Sequence, residues 1–289
     1  MKIMVTGAGG FVGSRLTAYY GKKYDVWGVT HKDLDLTDEA AVFKTVENYH
    51  PDVLIHCAAI SDVAECSKKP ELSHAVNVLG TEYLAKACGK TGTKLVMCSS
   101  DQVYFRKRGE QESLDTYLEP HREDCIETPE PLYGKQKLQG EEICLKYQPE
   151  SVVLRLSWMY DNLTEEELAK GRRSLAMMLR EMLDQKQSRK FSDTDHRGAT
   201  DVNLVVKNME AAWKLAGGIY NYGSSNDADM YETVRRVMAS FGQEALVEKA
   251  TGGNVRNLMM RTDKLARHGI FFPDTAAGLE AFLRKGGAL

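Results

Sequence analysis

Ile3-Met4-Val5-Thr6-Gly7-Ala8-Gly9-Gly10-Phe11-Val12-Gly13 is the stretch that decides the fold. A short apolar run enters a glycine-rich turn, and Ser14 to Tyr20 continues with a helical pattern. Strand, glycine turn and helix open a nucleotide-binding βαβ unit. Gly7, Gly10 and Gly13 read Gly-x-x-Gly-x-x-Gly, which differs by one position from the Gly-x-Gly-x-x-Gly of many dehydrogenases. Such glycines permit a tight turn, let backbone amides approach a pyrophosphate and allow the helix to pack on the strand, while the helix N-terminus favours the anion. Phe11 and Val12, at the start of that helix, belong to the same expected cofactor-binding set.

Outward from this turn the rhythm continues. Asp25 to Val29, Asp52 to Cys57, Lys94 to Cys98 and Ser151 to Leu156 read as strands, separated by helical stretches from Asp38 to Tyr49, after a capping Thr37, and from Glu71 to Gly89. Alternating strands and helices predict an α/β fold of the Rossmann type, a doubly wound parallel sheet. Phe105 to Pro131, with mixed charges and three prolines, breaks the pattern and reads as a long functional loop. Leu163 to Gln187 reads as one charged helix, Gly218 to Tyr222 as a late strand, and Met230 to Phe241 and Asp274 to Arg284 as helices. The expected division is a dinucleotide-binding domain over 1–157 with returning segments near 191–222, and a smaller C-terminal substrate-binding lobe over 158–190 and 223–289.

At 289 residues with 43% hydrophobic content the chain can bury a full core. A net charge of -3 gives no global attraction for nucleic acid or an anionic membrane. The N-terminus reaches glycine without the apolar stretch of a signal peptide, and no later run could span a bilayer, so a cytoplasmic protein is expected. Six cysteines are scattered without metal-ligand spacing, which predicts reduced thiols and no metal site. A homodimer is the default assembly.

Tyr133 and Lys137, in Tyr133-Gly134-Lys135-Gln136-Lys137, stand about one helical turn apart and would share a face. A fixed cation beside a phenol favours the phenolate and would bring proton transfer toward the working pH. Ser99-Ser100 follows an apolar strand and would sit at the carboxyl edge of the sheet, where open α/β folds bind ligands. After the second strand the chain has Thr30-His31-Lys32 before Asp33, not an acid first. His31 and Lys32 could pair with a 2'-phosphate, which favours NADP, with NAD as the alternative. Asp35-Leu36 would pass the adenine; the structural alternative there is helix capping by Thr37.

Together, Gly7-x-x-Gly10-x-x-Gly13, Ser100 and Tyr133-x-x-x-Lys137 resemble the extended short-chain dehydrogenase/reductase family. Within it the chain is most similar to dTDP-4-dehydrorhamnose reductases and their relatives. The likeness rests on Asp35-Leu36-Thr37-Asp38, Pro51-Asp52-Val53, Cys57-Ala58-Ala59, Asn77, Ser100-Asp101, Tyr133-Gly134-x-x-Lys137-x-x-Gly140-Glu141, Arg155-x-Ser157-Trp158-x-Tyr160 and Thr262-Asp263-Lys264-Leu265. The resemblance implies an NAD(P)-dependent oxidoreductase that reduces a keto-sugar, nucleotide-linked as the family's substrates are. Tyr133 would protonate the keto oxygen, Lys137 would hold the nicotinamide ribose and Ser100 would orient the carbonyl. Cys57, Ala58, Ala59 and Ile60 would line the adenosine side, and Asn77 and Ser99 would support the cofactor site. Asp101, Trp158 and Arg197 would face the sugar. Gly198-Ala199-Thr200 and Asn254-Val255 depart from the family pattern on the substrate side. Two alternatives stay open: an epimerase or dehydratase retaining NAD, for which Asp101 beside Ser100 is suggestive, and a non-catalytic dinucleotide-binding regulatory subunit.

Overall fold

A computed structural model describes residues 1–125, 128–169 and 171–286. Residues 126–127 of the expected loop, Lys170 of the expected charged helix and residues 287–289 of the expected second lobe lie outside the described residues.

The chain runs β1 (Lys2–Thr6), α1 (Phe11–Tyr20), β2 (Asp25–Val29), α2 (Glu39–Tyr49), β3 (Val53–His56), α3 (Val63–Lys68) and α4 (Pro70–His74). A π-helical turn (Ala75–Leu79) joins α4 to α5 (Gly80–Thr91), followed by β4 (Lys94–Ser100) and a 3-10 turn (Asp101–Tyr104). Then come α6 (Leu114–Tyr117), α7 (Leu132–Tyr147), β5 (Val152–Leu156), β6 (Trp158–Tyr160), α8 (Glu165–Ala169) and α9 (Leu175–Gln185). Three short strands, β7 (Arg189–Ser192), β8 (Asp195–Arg197) and β9 (Ala199–Asp201), lead to α10 (Val202–Ala212) and β10 (Gly218–Tyr222). The remainder is α11 (Met230–Ala239), β11 (Val247–Ala250), β12 (Arg256–Leu258), α12 (Asp263–Ala266) and α13 (Thr275–Lys285).

The central sheet has the order β10-β5-β4-β3-β1-β2. Its registered pairs are parallel: Val5 lies opposite Gly28 on one side and Ile55 on the other, and Ile55 lies opposite Val96. The strand order reverses between β1 and β3, and open α/β sheets bind ligands outside the carboxyl ends of strands at such a switch point. The segments flanking it are the Gly7 turn and Cys57 to Ile60. Strands covered on both faces need continuous apolar sequence, and β3, Val53-Leu54-Ile55-His56, is buried throughout. A core of Met4, Leu54, Leu84, Leu95, Met97 and Val153 with their neighbours supports these strand ends.

Two compact units divide the chain. The first is Met1–Val103, Glu127–Arg155 and Val206–Tyr220; the second is Tyr104–Ile126, Leu156–Val205 and Asn221–Leu289. The two units are of similar size, and residues 104–126 belong to the second. They are held there by backbone bonds from His121 N to Met259 O (2.8 Å) and from Arg261 N to His121 O (2.8 Å). Asn257 Nδ2 also donates to the Tyr117 and Glu119 carbonyls.

Three local expectations need correction. Asp38, not Thr37, caps α2 by accepting from Ala41 N at 3.0 Å, since Thr37 is already engaged in a turn by Asp35. The helix expected over 163–187 is two helices, with Gly171 at φ +74 and Ser174 as the N-cap of α9. The stretch from Glu71 to Gly89 is interrupted by the π turn at Ala75–Leu79. Among the described residues, no helix is long and apolar enough to cross a membrane, and no cluster of His, Cys, Asp and Glu is placed to hold a metal ion.

Candidate active site

In the glycine turn, Gly7 takes φ +71, where a Cβ would come within 2.7 Å of Ala58 N. A Cβ on Gly13 would collide with the Gly7 carbonyl oxygen. Both positions therefore need glycine. Gly10 is the N-cap of α1 and supplies no capping side chain, and the first turn of α1 carries no acid. No side chain caps the amides of that turn and no acid offsets its partial positive charge, which suits a pyrophosphate. Val12 is buried, and the Arg15 guanidinium lies 4.1 Å from the centre of the half-buried Phe11 ring.

His31 and Lys32 are exposed in the turn after β2. Asp33 is committed to that turn: its Oδ2 accepts from Thr30 N at 2.8 Å and Thr30 Oγ1 at 2.6 Å, and these bonds hold its carboxyl below the usual range. Asp35 likewise accepts from Thr37 N and Oγ1. Leu36 is 8% exposed and belongs to the core.

Past β3, Cys57, Ala58, Ala59 and Ile60 are half-buried. Asn77, in the π turn, fixes this segment: its Oδ1 accepts from Ile60 N at 2.8 Å, and its Nδ2 donates to Ile60 O at 3.0 Å and Gln136 Oε1 at 2.8 Å. π turns recur where a helix must present a side chain to a site. Beneath lies His56, with Nδ1 2.8 Å from Thr6 Oγ1 and Nε2 3.0 Å from Thr81 Oγ1. Thr81 Oγ1 donates to Asn77 O, so it accepts from His56 Nε2–H, and Thr6 donates to Nδ1. The imidazole is neutral: burial, with the Lys137 charge adding, depresses its pKa to about 3.

The adjacent serines at the end of β4 have opposite fates, because successive strand residues face opposite ways. Ser99 is buried and donates to Glu141 Oε1 at 2.5 Å, and Glu141 forms a buried pair with Arg155 at 2.6 Å. The Ser99 hydroxyl therefore links β4, α7 and β5. Ser100 is half-buried; its Oγ donates to Asp101 Oδ1 at 3.1 Å and accepts from Gln102 N at 3.2 Å.

On α7, Tyr133 and Lys137 share a face, with Nζ 5.8 Å from the phenol ring centre. Gly134 lies between them because a Cβ there would strike the Gln102 carbonyl oxygen. Lys137 Nζ donates to Cys98 O at 2.9 Å and is 3% exposed. Burial pulls this ammonium below the usual lysine range, opposed by the surrounding Cys98, Cys57 and Cys144 thiols and Glu141. The Tyr133 phenol is pushed well above its usual range, first by burial and then by the Asp101 charge, while Ser100 opposes the shift. The lowering expected from Lys137 is thus outweighed by desolvation.

A profile described as the RmlD substrate binding domain matches residues 1–258. The chain belongs to the RmlD substrate binding domain family. A dTDP-4-dehydrorhamnose reductase of Mycobacterium tuberculosis (strain CDC 1551 / Oshkosh) is 34% identical over 176 residues, covering 61% of this chain and 56% of the relative. The match thus spans about half the length of that curated relative. Methionine adenosyltransferase 2 subunit beta of Xenopus laevis is 28% identical over 296 residues, covering 93% of this chain and 83% of that protein. In fold, the chain is similar to the crystal structure of dTDP-4-dehydrorhamnose reductase from Bacillus anthracis str. Ames in complex with NADP, with TM-score 0.80, 20% identity and 98% of each chain covered.

In this RmlD family member the first unit brings together Gly7, Gly10, Gly13, Cys57 to Ile60, Asn77, Ser100, Asp101, Tyr133 and Lys137. Trp158 and Arg197 belong to the second unit, where the guanidinium lies 4.9 Å from the indole ring centre. His56, Cys98 and Gln136 were not among the expected site residues. His56 carried a signal: it is the one polar residue of β3, at the carboxyl end of an otherwise apolar strand.

Proposed function

We propose that the protein is an NADP(H)-dependent reductase of a keto-sugar carried on a nucleotide, the chemistry named for its dTDP-4-dehydrorhamnose reductase relatives. The observation that carries this reading is the convergence of Ser100, Tyr133 and Lys137 in the unit that also holds the glycine turn. The residues fit a dinucleotide: the turn needs glycine at Gly7 and Gly13, and α1 offers an uncapped N-terminus. The Asp33 carboxylate is engaged by Thr30, leaving His31 and Lys32 to meet a 2'-phosphate. When bound, the nicotinamide supplies the hydride.

The protein's own residues supply the proton. Burial keeps the Tyr133 phenol protonated, which is the state a donor to a keto oxygen requires. Ser100, which opposes the upward shift of the same phenol, orients the carbonyl oxygen. Lys137, held by Cys98 O, places a positive charge beside the phenolate left after transfer. Trp158 and Arg197 are the candidates for contact with the sugar nucleotide.

With a dTDP-linked 4-keto-sugar, NADPH oxidation should match product one for one. Turnover without net NADPH consumption overturns the reductase. A regulatory-subunit role is the second reading, favoured by the end-to-end likeness to methionine adenosyltransferase 2 subunit beta. It wins if Tyr133→Phe leaves cellular function intact while Gly10→Val abolishes it.

A further inference from the structure

Cys57 and Cys98 take no part in the proton transfer described above, yet they are placed together beside it. β3 and β4 are paired with His56 opposite Met97, so the next residues, Cys57 and Cys98, face each other across the strand ends. Their sulfurs are 3.4 Å apart. Neighbouring strands lie about 4.8 Å apart, within the Cα separation of about 4.4 to 6.8 Å that a disulfide bridges. Cys57 is half-buried as a residue at the strand end, and Cys98 is 6% exposed. The other thiols near Lys137 have different partners: Cys66 Sγ donates to Ile60 O at 3.1 Å, and Cys144 Sγ to Met97 Sδ at 3.5 Å. Cys98 is the more acidic thiol of the pair: its hydrogen bond with Cys57, and then the Lys137 charge, lower it against its burial, while that same bond and burial hold Cys57 well above the usual thiol range, so the thiolate that oxidation requires forms at Cys98.

We propose that Cys57 and Cys98 form a dithiol that a hydroperoxide oxidises to a disulfide, and that this disulfide closes the dinucleotide site. In the first step a thiolate attacks a peroxide oxygen, the O–O bond breaks, and the departing alkoxide or hydroxide takes a proton. The resulting sulfenic acid is attacked by the second sulfur, its S–O bond breaks, and water leaves with the remaining thiol proton. Two thiols and one hydroperoxide thus become one disulfide, one alcohol or water, and one water. A dithiol reductant reverses the change by exchange.

The consequence for the cofactor follows from the two neighbours of the pair, and it rests on the function proposed above. Forming an S–S bond of about 2.05 Å draws the sulfurs together by more than an ångström. The Cys98 carbonyl holds Lys137, and the Cys57–Ala58 backbone packs against the Gly7 turn, leaving no room for even a Cβ. Movement of these strand ends therefore displaces both Lys137 and the turn.

The test treats the full-length protein with hydrogen peroxide, maps its disulfides by peptide mass spectrometry, and titrates NADPH before and after. The expected result is loss of the mass of two hydrogen atoms, a mapped Cys57–Cys98 bridge, and NADPH binding weakened at least about tenfold, all reversed by dithiothreitol. Cys57→Ser and Cys98→Ser should each abolish the bridge. A bridge elsewhere, or oxygen addition without a bridge, overturns the dithiol. A Cys57–Cys98 bridge with unchanged NADPH affinity overturns the closure. If the reduced protein fails to bind NADPH, the proposed function falls and with it the closure, while the peptide map still decides the dithiol.

Discussion

In the first unit Lys137, Glu141 and Arg155 are at most 3% exposed, whereas the Arg106–Glu112 and Arg256–Asp195 side chains of the second unit retain between 18% and 31%. The first group has given up water for fixed protein partners: Cys98 O for Lys137, and a bidentate pairing strengthened by Ser99 for Glu141 and Arg155. Such charges define positions closely, and unpairing them is costly. The half-hydrated pairs of the second unit have less to lose when a partner is removed. The contrast sets fixed, dehydrated charges in the first unit against half-hydrated pairs in the second.

The contrast can be broken in four places. The largest effect is expected for Tyr133→Phe, which should lower kcat roughly 10²- to 10⁴-fold with NADPH affinity unchanged in a fluorescence titration. An equal loss of affinity would make Tyr133 a packing residue. Next, Glu141→Gln should cost about 3 to 5 kcal/mol in a urea melt, because it strands the buried Arg155 guanidinium. A loss under about 1 kcal/mol would show that water reaches this pair, and the contrast would fail.

Acid should expose His56. Its folded pKa, about 3, lies below the ordinary value of 6.5, so its contribution is complete above pH 6.5 and is lost as pH falls toward 3. Between pH 6.5 and pH 4 this removes roughly 3 kcal/mol, and His56→Asn should flatten that part of a stability profile measured by denaturant melts. The smallest effect belongs to the second unit: Asp195→Asn should cost about 1 kcal/mol or less, checked by the same melts.

The glycine turn and the Tyr133–Lys137 pairing were legible because each lies within one local element, where spacing fixes which residues face together. The Ser99 hydroxyl's structural bond was not legible because its partner, Glu141, is 42 residues away, and only the strand's alternation separates its surroundings from those of Ser100. The environment of Tyr133 was hidden for a similar reason: a four-residue spacing states proximity to Lys137 but not the burial that outweighs it. The membership of 104–126 in the second unit depends on Asn257, far along the chain, and no local pattern announces it. Composition did suggest that this segment was unusual, but not what holds it.

The π turn at Ala75–Leu79 carries a consequence for how this chain can vary in length. A π turn holds one residue more than the α-helical turn it replaces, so deleting a single residue there would let the backbone relax into an unbroken helix. That edit would leave α4 and α5 nearly in phase, because the extra residue is spent within one turn, but it would remove the bulge from which Asn77 bonds Ile60 and Gln136. Insertions and deletions are usually tolerated in loops and resisted in cores; here a helix interior is the place where one residue of length is itself the functional element.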